Sequence, residues 1–380
     1  MKKRTIFLGL LVAASPASLV AQNSVYGIRG VGFPGRPSGV RSLALGGGAD
    51  LLDRASVLNP ALAATFRQVT VGAVSGTTFR NYTAAGADAS GLQETRFPLA
   101  FLGGGILRSP VSWQLSFSTF AERSFDITTS DTITVDGADL PVEDRRTSDG
   151  GVVDVRAAIG WRASPFLAVG GAFHFLVGSS RVTAQRIFQS NQFQPFQETD
   201  ALRFSGKSFS GGILWLPNTS VGLAFAGRLN SALRLRLEED SGPSVAMPAS
   251  LAVGASLAVT SKLRWMTTAR WRSWSRAGDD VAAAGTSAFD TWEVGSGLEI
   301  SSASQGAKFP LRLGIRYAQL PFSPSADQPT EWNYSIGTGA PFAANRAVID
   351  VAVLRFQRDG AGASERGWYL TVGITLTPVR

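Results

Sequence analysis

The sequence predicts an all-β fold: a transmembrane antiparallel β-barrel of about fourteen strands, with a short N-terminal helical plug in the lumen. Three observations carry this expectation. From Arg67 onward, segments of roughly ten to fifteen residues alternate apolar and polar side chains between turn residues, the pattern of barrel strands. Charged residues make up 17% of the chain, below the roughly 25% of soluble domains, while glycine reaches 42 residues. A secretory leader opens the chain, yet no stretch approaches the ~20 apolar residues of a spanning helix. The same alternation with the apolar parity turned inward would describe a secreted soluble β protein.

Residues 1–22 read as a signal peptide. Lys2, Lys3 and Arg4 form the basic region, the apolar run 6–14 follows, and small residues lead to a cut after Ala17 or near Ala21 and Gln22. The chain has 0 Cys, which excludes disulfides and a lipid-modified cysteine anchor. The formal charge of +8 loses Lys2, Lys3 and Arg4 with the leader. The remaining arginines are scattered, so no basic patch for nucleic acid forms.

Residues 23–65 read as the plug. Leu43 and Leu45 precede the glycine triple Gly46, Gly47 and Gly48. Leu51, Leu52, Ala55 and Leu58 then fall on one face at helical spacing, with Asp50 placed to cap the start. Asn59 and Pro60 are expected to end that helix. An ordinary helix packed on a sheet is the opposing reading.

Residues 66–380 read as the barrel, with strands beginning near Arg67, Gln93, Val111, Gly151, Phe166, Ala201, Ser220, Pro248, Leu263, Phe289, Phe309, Glu331, Arg346 and Arg366. Leu311, Leu313, Ile315 and Tyr317 oppose Arg312, Gly314 and Arg316. Leu370 and Val372 oppose Thr371 and Gly373. Val221, Leu223 and Phe225 hold a parity that Leu233 and Leu235 are expected to continue. Trp161, Trp215, Trp274, Trp292 and Trp368 near strand ends suit interfacial girdles. Polar connections are expected over 128–150, 185–200, 278–287 and 323–329.

On the inward parity stand Asp154, Arg156, Arg162, Arg264, Arg270, Arg272, Arg312 and Arg316. They read as a lumenal network of ion pairs propping the barrel, or as a ladder for an anionic amphiphile, since arginine holds carboxylates bidentately. His174, the single histidine, shares the inward parity of Ala168, Gly170 and Ala172. No serine motif of a hydrolase surrounds it, so no catalysis is expected. Without cysteine and with one histidine, no transition-metal site and no cofactor is expected. Gly103, Gly104 and Gly105 lack the Lys-Ser/Thr of a phosphate loop. Phe188, Phe193, Phe196, Leu320 and Phe322 make unusually apolar loops, which either gather hydrophobic molecules or pack together.

Ser42, Gly46 to Gly48, Asp53, Ala55, Asn59, Pro60 and Ala61, lying between leader and barrel, resemble the N-terminal hatch of FadL-like outer-membrane transport proteins. Pro310 to Gly314, Leu320 to Phe322 and Tyr334 to Gly339 resemble the C-terminal third of that family. The resemblance implies a monomeric bacterial outer-membrane channel among membrane lipids. Its implied activity is passive uptake of hydrophobic small molecules such as long-chain fatty acids. Leu43, Leu45, Leu51, Leu58, Asn59 and Pro60 would then line the plug and pocket. The alternative is a barrel scaffold or shuttle of a secretion system, with an exported protein as partner. A non-specific porin is a third reading, against which the plug counts. The chain departs from many barrels in ending Thr377, Pro378, Val379, Arg380, without a terminal aromatic residue.

Overall fold

A computed structural model describes residues 24–84, 87–135, 138–188, 193–236, 241–301 and 309–378; the expected signal peptide lies outside them. Fourteen strands form the wall. They are β1 (Thr70–Ala84), β2 (Ala87–Gly105), β3 (Val111–Glu122), β4 (Ala138–Arg162), β5 (Leu167–Phe188), β6 (Phe196–Trp215) and β7 (Val221–Asn230). There follow β8 (Ser250–Ala258), β9 (Leu263–Arg272), β10 (Thr291–Ile300), β11 (Leu311–Gln319), β12 (Thr330–Phe342), β13 (Ala347–Gly360) and β14 (Ala363–Leu376). Each pairs antiparallel with the next. β14 pairs with β1 from Leu376 opposite Val71 to Ala363 opposite Ala84, so the sheet closes. Closure leaves the wall no free edge.

The sides of the wall follow the alternation in the sequence. Leu311, Leu313, Leu370 and Val372 point outward and are 42, 39, 42 and 39% exposed, whereas Arg312 and Arg316 point inward at 5 and 8%. Phe117, Ile159, Phe209 and Phe225 continue the outer apolar belt around the barrel. A contiguous apolar surface of this extent belongs against hydrocarbon. Trp161 and Trp215 stand exposed near one end of their strands and Trp292 near the other. Trp274 does not join them. It is 2% exposed, packed edge-on against Phe322 at 5.1 Å in a core under the long connections, because its loop folds inward over the lumen.

Three further expectations need correction. The polar stretches expected as loops over 128–150 and 185–200 are largely strand. β4 runs 25 residues and pairs with the strand Phe125–Val135 as well as with β5. Water on both faces makes both parities polar there, and cross-strand ion pairs such as Arg186 to Asp144 at 2.6 Å hold the pairing. Leu233 does not continue the outward parity of β7. The chain turns at Ser231, whose backbone N–H bonds to the Lys207 carbonyl, and Leu233 enters the core fully buried. Leu320 and Phe322, by contrast, are buried as one of the two readings of that connection has it: it packs inward.

The N-terminal segment runs inside the wall from end to end. The Tyr26 hydroxyl donates to the Ala363 carbonyl at 2.6 Å, beside the β13–β14 turn. Pro60–Thr65 lies against β3 to β6 just before β1 begins at the opposite end. The helix expected over 50–58 is absent. An α-helix spans Val40–Ala44 instead, and a 3-10 helix spans Pro60–Thr65. Asn59 and Pro60 therefore start a helix rather than end one. The Asn59 side chain accepts from the Ala61 N–H at 3.0 Å, and proline suits the first helical position. Asp50 caps nothing; it accepts from the Ser42 hydroxyl at 2.6 Å. Gly46 and Gly47, at φ 63° and 82°, turn the chain between these parts.

Candidate functional site

The barrel contributes inward glycines where the N-terminal segment presses closest. A Cβ at Gly297 would lie 2.6 Å from the Leu45 carbonyl oxygen, and one at Gly314 would collide with the Gly46 N–H. The Ser335 hydroxyl donates to the Ala44 carbonyl at 2.9 Å, and the Gly46 N–H donates to Ser335 Oγ at 3.1 Å. Gly170 and Gly212 make the same room for Pro60 and Asn59.

Above this contact a belt of alternating charge follows the inner wall across nine neighbouring strands. Arg270 and Arg272 of β9 share Glu293 of β10, which Arg316 of β11 contacts through Nε at 2.7 Å. Arg316 reaches on to Glu331 of β12, which accepts from Arg358 Nε of β13 at 2.6 Å. Arg358 lies 3.1 Å from Glu365 of β14, and Glu365 lies 3.5 Å from Arg80 of β1. Arg80 pairs with Glu94 at 2.7 Å, and Arg96 joins Glu94 to Glu122 of β3. Arg36 of the N-terminal segment also donates to Glu331. Burial pushes the Arg36 guanidinium down to about 10, against the pull of Glu331.

A narrow cavity, continuous with solvent, opens beside the segment. Phe33, Pro34 and Leu43 form its inner side; Phe356 and Tyr369 face them from the wall. The Arg358 guanidinium sits between the Phe33 and Phe356 rings, 4.2 and 4.3 Å from their centroids. The surface is thus aromatic and aliphatic, crossed by charges already paired with one another.

Of the residues expected in plug and pocket, Leu43 lines this cavity and Leu58 lines a smaller one near Asp154 and Arg228. Leu45, Leu51, Asn59 and Pro60 are buried contacts with the wall. Leu45 meets Met266, and Leu51 meets Ala224, Ala226 and Ala252. Asn59 Nδ2 donates to the carbonyls of Leu51 at 3.1 Å and Ile213 at 3.2 Å.

The expected polar network divides into separate groups. Arg270, Arg272 and Arg316 meet in the belt. Arg312 joins Glu299, Asp350 and Arg41 at a lower level, with Arg41 holding Glu299 through two bonds of 2.8 Å. Asp154 accepts from His174 Nδ1 at 2.9 Å and from Arg228 Nη1 at 2.5 Å, while Ser210 Oγ lies 2.8 Å from His174 Nε2. A carboxylate on Nδ1 fixes the tautomer, leaving Nε2 to accept from Ser210. Arg162 and Arg264 stand at the short-turn end, donating to the carbonyls of Ala64 and Thr219. Within the belt, sequence reasoning missed Arg36, Arg80, Glu94, Arg96, Glu122, Glu293, Glu331, Arg358 and Glu365. Register could have found part of them, because Arg358 stands directly opposite both Glu331 and Glu365.

No protein-family model and no curated protein matches the chain. Solved structures do. A Pseudomonas aeruginosa FadL homologue superposes with a TM-score of 0.59 at 13% identity, over 91% of this chain and 99% of that one. CymD, described as a monoaromatic hydrocarbon channel, gives 0.59 at 14% identity over 91 and 98%. The Ralstonia pickettii toluene transporter TbuX gives 0.57 at 14% identity over 90 and 98%. At such identity the likeness is one of architecture, and the chain has the fold of the FadL-like outer-membrane transporters.

Proposed function

We propose that this protein is a monomeric channel of a bacterial outer membrane for passive uptake of hydrophobic small molecules, with the N-terminal segment as its plug. The cavity between Leu43 and the aromatic wall carries the reading. It offers apolar surface beside the N-terminal segment, which fills the lumen instead of forming a wall strand. Uptake needs no energy source: a ligand enters from the long-connection end, rests beside the plug, and leaves when the segment around Gly46 and Gly47 shifts. The neighbours described as hydrocarbon and toluene channels support the ligand class.

The apolar side chains of the cavity suit the hydrocarbon tails of long-chain fatty acids. Their carboxylate fits less well, because Arg80, Arg96 and Arg358 each already hold a glutamate. We therefore favour uncharged compounds. Liposomes whose outer leaflet is lipopolysaccharide, which slows the unaided entry of apolar solutes, test this with the purified protein and with labelled toluene and labelled oleate in parallel. Faster entry of toluene than into empty liposomes supports the channel, and the ratio of the two ligands reports the headgroup preference. Equal rates with and without protein favour the secretion scaffold, for which the exposed Phe193 and Phe196 offer a contact.

The hydrogen-bond order Ser210–His174–Asp154 is the order used by serine hydrolases. We assign it a clamping role. His174 is 3% exposed, and Arg228 occupies the second oxygen of Asp154, so the three side chains bind neighbouring strands together.

A further inference from the structure

Six arginines are buried among the described residues: Arg80, Arg156, Arg270, Arg312, Arg316 and Arg358. Five have a carboxylate at ion-pair distance. Arg156 alone has none among the described residues, although it is 2% exposed. Its Nη1 donates to Gln114 Oε1 at 2.8 Å. Its Nε and Nη2 meet no acceptor, nor does the amide nitrogen of fully buried Gln114, and the Ser116 hydroxyl is unpartnered too. Register brings these groups together. Ser116 stands directly opposite Arg156, and Gln114 lies two residues further along β3, on the same inner face.

The nearest acid cannot serve. Asp154, two residues away on β4, is engaged by His174 and Arg228. Two arginines against one carboxylate, with His174 neutral between Asp154 and Ser210, leave one positive charge uncompensated. An isolated buried charge is strongly unfavourable, and neutralising arginine by deprotonation is closed to proteins. Ala63 of the N-terminal segment packs on Ala158 and Ala172 beside the cluster. Full burial excludes a ligand headgroup arriving from the cavity.

We propose that Arg156, Gln114 and Ser116 form a binding site for a small monovalent anion, a halide in the first instance, built into the inner wall between β3 and β4. A halide is spherical and accepts from several donors at once, which suits a guanidinium edge, an amide N–H and a hydroxyl. It supplies the missing counter-charge without requiring an acidic side chain in the wall. The site is independent of what the channel carries.

Crystals of the full-length protein grown in sodium bromide test the assignment directly. The expected result is an anomalous difference peak at hydrogen-bond distance from Arg156 and Gln114; no peak there, or a water without anomalous signal, overturns the proposal. Urea unfolding in detergent, in chloride against gluconate at equal ionic strength, gives a second readout. Once chloride exceeds its dissociation constant, a tenfold increase should raise the folded-to-unfolded ratio about tenfold. Arg156→Met should abolish this dependence and Gln114→Leu should weaken it. If Arg156→Met does not fold, Gln114→Leu and the bromide map carry the test. Unchanged chloride dependence in Gln114→Leu would place the anion elsewhere.

Discussion

Arg36 of the N-terminal segment donates to Glu331 of β12, a carboxylate that Arg316 and Arg358 already hold from the wall. One buried acid therefore joins three arginines and ties plug to barrel. Glu331→Gln should be the most damaging single change in the belt. It leaves those guanidiniums facing a neutral amide, and breaking a buried pair costs about 3–5 kcal/mol. Arg36→Met should cost less, since Glu331 keeps two partners. Urea midpoints of the refolded barrel check the order; equal midpoints for the two variants would contradict it.

Gly314 sets how closely the plug approaches the wall. Any side chain there meets the Gly46 backbone. Gly314→Val should leave the outer belt intact but push the segment away, at about 1–3 kcal/mol of overpacking strain. The barrel should still resist unfolding in cold detergent. Proteolysis within residues 40–50 should quicken, and small hydrophilic solutes should leak into swelling-assay liposomes. A variant as tight as wild type would show that the plug does not control the lumen.

Asn59 joins three parts of the structure through one side chain: the Pro60–Thr65 helix, the Leu51 turn and β6. Asn59→Ala loses a helix cap worth about 1 kcal/mol. It also leaves two buried carbonyls with one acceptor interaction fewer, at roughly 1–3 kcal/mol for a fully unsatisfied group. Amide exchange should rise first at Ala61 and Leu62. Protection unchanged at those amides would remove Asn59 from its anchoring role.

The alternation of Leu311, Arg312, Leu313 and Arg316 was enough to assign sides, because hydrocarbon and a filled lumen impose opposite demands on successive residues. That logic fails where both faces meet water, as in the outer part of β4, whose polarity resembles a loop. It also fails after a turn, as at Leu233. The plug was harder to read. Leu51 and Leu58 are spaced like one face of a helix, yet Leu51 packs among wall alanines while Leu58 lines a small cavity near Asp154 and Arg228, so the helical pattern had no helix behind it. The charge belt was half legible for a related reason. Inward parity reveals single arginines, but their partners are set by strand register across the closure, which adjacent residues do not encode.

Burial pushes the Asp50 carboxyl above the ordinary carboxylate range, while the Ser42 hydroxyl holds it down. The folded protein thus binds this proton more readily than the unfolded chain. The linkage sign follows: the contribution of Asp50 is fully present below its unfolded value and is lost as pH rises through the folded one. The belt glutamates have their own pH dependence, so wild type alone is uninformative. The difference in unfolding free energy between wild type and Asp50→Asn isolates the group. It should fall as pH increases from about 4, the unfolded carboxylate value, and then level off. Asparagine keeps an acceptor for Ser42 without the charge, so Asp50→Asn should be the more stable of the two at neutral pH relative to its acid value. A difference that rises with pH would mean that the Asp50 anion is stabilised by nearby cations as well as by Ser42, Arg270 among them.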